Sequence, residues 1–173
     1  VQPLRSILDY NNGGKPGNNG LYRSAPRQGI TLLVDFKSSD KDTLDAVVAA
    51  LQPLRDGRYL SHVAAGSFVE RQVTIVASGN APFERNFAGD GIPNRDLFYD
   101  AHLDKWDDRY NSTKSFYASA SFKIVVRHTR GEIAQKELIG AQSKKAHDAG
   151  LKVRYCKSSS TAGTTRQISD IKS

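Results

Sequence analysis

The stretch Ile30-Thr31-Leu32-Leu33-Val34-Asp35-Phe36-Lys37 decides how this chain is read. It is an apolar, β-branched run of strand length that closes on an acid and a base. Side chains at i and i+2 of a strand point to one side, so Asp35 and Lys37 project together from its carboxyl end. α/β folds build their sites at that end. A carboxylate there can hold a divalent cation, and a lysine beside it can hold a phosphate oxygen. The plainer alternative is a strand end closed by a local ion pair.

Upstream, Gln2 to Tyr10 carries Leu4, Ile7 and Leu8 at helical spacing. The run from Asn11 to Gly20 is rich in Gly and Asn. A helix precedes it and a strand follows, the reverse of a phosphate-cradling loop, so it reads as a surface insertion. Downstream, Ser38-Ser39-Asp40 offers a cap for an amphipathic helix whose apolar face is Leu44, Val47, Val48, Leu51 and Leu54. Arg58 to Arg71 reads as short extended pieces around a turn at Gly66. Gln72 to Ala77 is a buried strand ended by Ser78-Gly79-Asn80, and Asp96 to Asp100 a shorter one. Phe116 to Phe122 reads as strand and loop. Glu132 to Ala149 is the longest helix, with Gly150 as its C-cap, and Leu151 to Tyr155 is the last strand.

Strands separated by helices predict an α/β fold with a parallel sheet. Polar residues close each strand: Asp35 and Lys37, Ser78 and Asn80, Asp100, Ser119 and Ser121, Arg154. In a (β/α) barrel of TIM type those ends gather around one pocket, and the complete eight-unit form takes about 250 residues. At 173 residues, with roughly five units after an opening helix, the chain is expected to be an incomplete barrel of that type, its later part. Residues 1–156 form the expected domain. The Ser/Thr-rich stretch 157–173 shows no apolar period and is expected to be a disordered tail.

The net charge of +7 and a pI near 9.6 favour anionic partners. The basic residues are scattered, densest at Lys144-Lys145 with Lys152 and Arg154, and do not alternate with aromatics. A solvated face explains them better than nucleic-acid binding does. No apolar run reaches membrane-span length. Cys156 stands alone, and no Cys/His pair has zinc-ligand spacing. The chain opens at Val1 and holds no Met, from which a processed N-terminus is expected. Asn111-Ser112-Thr113 is a glycosylation sequon, compatible with secretion, which leaves localisation open.

The order of several segments resembles a known family. They are Leu32-Leu33-Val34-Asp35-Phe36-Lys37, Leu51-Gln52-Pro53-Leu54-Arg55, Ser78-Gly79-Asn80-Ala81-Pro82-Phe83 and Phe98-Tyr99-Asp100-Ala101-His102-Leu103. Tyr117-Ala118-Ser119-Ala120-Ser121-Phe122 and the segment Ala146 to Tyr155 continue it. Together they resemble the fungal altered inheritance of mitochondria protein 6 family, relatives of phosphatidylinositol-specific phospholipase C and glycerophosphodiester phosphodiesterase. The resemblance implies a barrel of the phospholipase-C-like phosphodiesterase superfamily. It also implies hydrolysis of glycerophosphodiesters or phospholipid head groups with bound Mg²⁺ or Ca²⁺ and two histidines as acid and base. Carried to this chain, it makes Asp35 a metal ligand and Lys37 a catalytic, phosphate-contacting lysine. Two departures stand out. The family's His-Asn motif, Glu/Asp metal pair and second catalytic histidine do not occur before Ile30, and Cys156-Lys157-Ser158 replaces a Trp-Asp-x-Pro pattern. A barrel shortened at both ends is therefore expected, either impaired in hydrolysis or a non-catalytic module for anionic ligands, lipid surface or a protein partner. Open sheet edges would favour self-association.

Among the remaining candidates, His102 is the best-placed histidine for catalysis, just past the Asp96 to Asp100 strand. A surface or capping role is the alternative. His62 falls in an irregular segment, His128 before a loop, and His147 on a helix exterior. Asn80 reads equally as a phosphate-binding amide or as a turn residue. Asp100 reads either as pocket-lining or as a cap for a helix over Leu103 to Arg109, the cap being the better reading. Ser119 and Ser121 lack a nucleophile elbow and read as small pocket-lining residues. Arg154 and Tyr155 alternate on the last strand, so only one faces inward.

Overall fold

The computed structural model describes residues 1–15, 17–89, 95–127 and 129–156. The proposed tail and His128 lie outside the described residues. Five strands make one sheet: β1 (Ile30–Phe36), β4 (Val73–Gly79), β5 (Leu97–His102), β6 (Ser115–Ser121) and β7 (Lys152–Cys156). They lie side by side in that order, every pair parallel. Two short strands, β2 (His62–Ala64) and β3 (Ser67–Val69), form a separate antiparallel hairpin. The helices are α1 (Gln2–Asn11), α2 (Lys41–Ala50), α3 (Gln52–Asp56), α4 (Phe83–Asn86), α5 (Phe122–Arg127) and α6 (Glu132–Asp148). The α/β class and the parallel sheet match the sequence reading. The sheet curls as an open half-barrel with β1 and β7 at its edges.

Alternation sorts each strand into two faces. Phe36, Val73, Ile75, Ala77, Leu97, Tyr99, Ala101, Ala118 and Ala120 join the buried core, together with Leu44, Leu51, Leu54, Val125 and Ala146 from the helices. On the other face Phe98 meets Phe68 of β3 edge-on at 5.3 Å. The hairpin thus covers part of the inner surface, and its turn bends at Ala65 (φ 49°) and Gly66 (φ 74°).

The structure differs from the spacing in three places. The helix expected to run through Leu54 breaks at Leu51, because Pro53 supplies no backbone N–H to continue the ladder and instead starts α3. Leu51 and Leu54 are nonetheless both buried. Helices α4 and α5 are four and six residues long, too short to show a period. No helix covers Leu103 to Arg109, so Asp100 caps nothing there. Its carboxylate is engaged across the sheet instead.

Helix α1 is tied down through polar contacts. Arg5 Nε donates to Asp9 Oδ2 at 2.6 Å, and the buried Tyr59 hydroxyl donates to Asp9 Oδ1 at 2.9 Å. Arg5 also donates to the Pro53 carbonyl.

Candidate phosphate-binding edge of the sheet

The carboxyl end of β1 brings Asp35 and Lys37 together, as their spacing requires. Lys37 Nζ donates to Asp35 Oδ2. Both side chains remain open to solvent, Lys37 at 85% and Asp35 at 56% exposure. An ion pair this exposed contributes at most about 1 kcal/mol, so a phosphate or cation can re-partner either group at small cost.

The adjoining turn is shaped around this strand end. Asp35 is level with Ser78 and Phe36 with Gly79. Gly79 has φ 68°, and a Cβ there would lie 2.3 Å from Asp35 Oδ1 and 2.6 Å from the Phe36 carbonyl oxygen. Only glycine fits. Asn80 then turns back onto β1: its backbone N–H donates to the Phe36 carbonyl at 2.8 Å and its Nδ2 to the Lys37 carbonyl at 3.0 Å. Asn80 therefore braces the backbone that carries Lys37.

Further along the same edge, β5, β6 and β7 contribute a second polar group. Arg154 Nη2 donates to Asp100 Oδ2 at 2.6 Å, and Arg154 Nε donates to Ser119 Oγ at 2.9 Å. Ser119 Oγ in turn donates to Asp100 Oδ1. Asp100 is buried, with 7% of its side chain exposed, whereas Arg154 is 34% exposed. Arg154 is thus the inward-facing member of the Arg154–Tyr155 pair, while Tyr155 packs against the helix-side core. This network escaped the sequence reading, which treated Asp100 as a cap. The available signal was the alternation that sets Asp100, Ser119 and Arg154 on one face with opposite charges.

His102 is the last residue of β5 and is exposed. Its ring stands edge-on to Tyr99 at 5.8 Å, and Tyr99 belongs to the aromatic cluster on the helix side with Phe83 and Phe87. Two strand spacings, roughly 10 Å, separate β5 from β1. Among the described residues no hydrogen bond joins His102 to Asp35 or Lys37. His62 lies away from this edge, its Nδ1 bonded to the Leu60 carbonyl at 3.1 Å. The edge brings Asp35, Lys37 and the Asn80 backbone brace together, and leaves His102 apart.

The donor set bears on which cation it suits. Among the described residues no three His, Cys, Asp or Glu side chains converge on one point. Ca²⁺ takes six to eight oxygen ligands, which Asp35 cannot approach alone. Mg²⁺ is commonly held by one or two carboxylates plus substrate phosphate and water, and a single exposed carboxylate beside a lysine fits that pattern.

The fold is thus a parallel α/β sheet with an acid and a base at the end of its first strand. Residues 1–100 match the family model of the AIM6-like phosphodiesterase domain, and the chain belongs to that family. It is similar to the altered inheritance of mitochondria protein 6 homolog of Arthroderma benhamiae, at 30% identity over 167 residues, covering 90% of this chain and 52% of that protein. Altered inheritance of mitochondria protein 6 of Eremothecium gossypii is 36% identical over 111 residues, 60% of this chain and 28% of that protein. The protein of that name from Lachancea thermotolerans is 28% identical over 182 residues, 88% of this chain and 42% of that protein. The chain thus spans about half or less of the length of these relatives. No solved structure matches it. No helix among the described residues is long and apolar enough to cross a membrane.

Proposed function

We propose that the domain is a phosphodiesterase-type module of TIM-barrel ancestry that binds glycerophosphodiesters or phospholipid head groups at the carboxyl edge of its sheet. The observation that carries this reading is the solvent-open Asp35–Lys37 pair on β1, at the end where such folds build their sites. Lys37 would take a non-bridging phosphate oxygen, and Asp35 is the residue that would hold Mg²⁺. The bound cation would neutralise charge that grows on phosphorus-bound oxygen as the ester is cleaved. Asn80 holds the Lys37 backbone in place.

Turnover also needs a proton donor and acceptor near the phosphate. The placement of His102 against Tyr99 favours a second reading for residues 1–173, in which the module binds phosphodiesters without cleaving them. The two readings share a ligand and differ in the product. Calorimetric binding of glycerophosphocholine with and without Mg²⁺, paired with a choline-release assay, tests both. Saturable, Mg²⁺-assisted binding is expected in either case, and release of glycerol phosphate only in the first. No binding would contradict both.

A further inference from the structure

The opposite end of the sheet carries a second concentration of positive charge. A cleft of about 460 Å³ opens there, lined by Arg55, Arg58, Leu60, His62, Arg71 and Asp96. Arg71 precedes β4 and Asp96 precedes β5, so the cleft lies at the amino ends of the strands, away from Asp35 and Lys37.

The charges there are unequally matched. Arg55 and Asp96 satisfy each other in a two-pronged pair, Nε to Oδ2 at 2.5 Å and Nη2 to Oδ1 at 3.0 Å. Arg58 and Arg71 are exposed and have no ion-pair partner among the described residues. His62 is fixed in the lining by its bond to the Leu60 carbonyl. A carbonyl only accepts, so Nδ1 carries the proton and Nε2 is the free ring nitrogen.

Backbone conformation points the same way. The N–H of Tyr59 donates to the Leu54 carbonyl at 3.0 Å, and that of Arg58 to the Arg55 carbonyl at 2.9 Å. These two bonds close helix α3 in a Schellman motif and place Arg58 at its left-handed position, φ 57°. Glycine is the usual residue there. This chain keeps an arginine at that strained position, on the wall of a cleft that already holds an unpaired Arg71.

We propose that this cleft is a second anion site, taking a compact phosphate-bearing group between the guanidinium groups of Arg58 and Arg71. The planar fork of arginine matches phosphate oxygens in pairs, which favours phosphate over a simple carboxylate or halide. A volume of about 460 Å³ accommodates a small phosphate ester. The site stands independently of the reading given to the Asp35–Lys37 edge.

Calorimetry with inorganic pyrophosphate in EDTA tests it, on the full chain and on Arg58→Gly, Arg71→Gln, the double variant and Lys37→Ala. Each single cleft substitution is expected to weaken binding about tenfold, and the double variant more than either. Lys37→Ala removes any pyrophosphate held at the β1 edge, and in that background the two cleft substitutions are expected to weaken the remaining binding by the same factors. Arg58→Gly relieves a left-handed arginine, so an undiminished melting temperature would separate lost binding from lost fold. Co-sedimentation with phosphatidylcholine vesicles, with and without phosphatidic acid, distinguishes a lipid head group from a free phosphate. Capture that needs phosphatidic acid and both arginines assigns the membrane source. Pyrophosphate binding without vesicle capture assigns the soluble one. Pyrophosphate and vesicle binding that are both absent, or both indifferent to the double substitution, would overturn the proposal.

Discussion

Arg154 reaches past β6 to Asp100, closing a 2.6 Å bond between residues 54 positions apart in sequence. The pair spans β5, β6 and β7, the third, fourth and fifth strands of the parallel sheet, with Ser119 on β6 bridging both partners. Removing Arg154 leaves a buried carboxylate without its cation. Arg154→Ala is expected to cost about 2–4 kcal/mol by urea denaturation, while Asp100→Ala/Arg154→Ala costs less than Arg154→Ala alone. Additive losses would mean that the two groups act separately.

Gly79 makes the site fit around Asp35. Gly79→Ala forces a left-handed alanine and a Cβ 2.3 Å from Asp35 Oδ1. The expected loss is about 1–3 kcal/mol in stability. Glycerophosphocholine affinity should also fall, because the carboxylate must move. Unchanged affinity in calorimetry would show that the Asp35 position does not matter to binding.

Much of this organisation was legible in the chain, for identifiable reasons. The run from Ile30 to Phe36 is a strand because most of its residues are β-branched or apolar, and Val73 to Ala77 repeats that chemistry. Parallel pairing was expected from helices between strands, and it holds even for β5 and β6, which have no helix between them. The pairing of Asp35 with Lys37 needed only the two-residue period of a strand. Strand alternation signalled that Asp100, Ser119 and Arg154 share a face, but their contact depends on register between three strands, which no local pattern encodes. The placement of His102 was hidden as well: its ring follows the aromatic cluster of Tyr99, Phe83 and Phe87, a tertiary contact. The break before Pro53 was visible as a proline but was outweighed by the continuing apolar spacing of Leu51 and Leu54.

Tyr59 gives the fold a dependence on alkaline pH. Burial, and then its bond to Asp9, push its phenol up to about 12. Unfolded tyrosine ionises near pH 10, so this contribution is complete below about 10 and is lost as pH rises through about 12. Urea midpoints should fall between about pH 10 and pH 12 in the parent, and fall less in Tyr59→Phe. Identical slopes in the two proteins would place the alkaline transition elsewhere.

Arg58→Gly should raise stability. A left-handed non-glycine residue costs about 1–2 kcal/mol, partly offset by the greater freedom of glycine in the unfolded chain, so a gain of about 0.5–1 kcal/mol is expected. A thermal or urea melt reads it directly. A loss would mean that the Arg58 side chain makes stabilising contacts of its own.

Lys37 and Asp35 are proposed as the phosphate end of a Mg²⁺-assisted site. Calorimetric titration of glycerophosphocholine with and without Mg²⁺, on the parent, Lys37→Ala and Asp35→Ala, addresses it most directly. Mg²⁺ is expected to tighten binding in the parent, Asp35→Ala to abolish the Mg²⁺ effect, and Lys37→Ala to weaken binding about tenfold or more. Equal binding by all three proteins, with or without Mg²⁺, would contradict it.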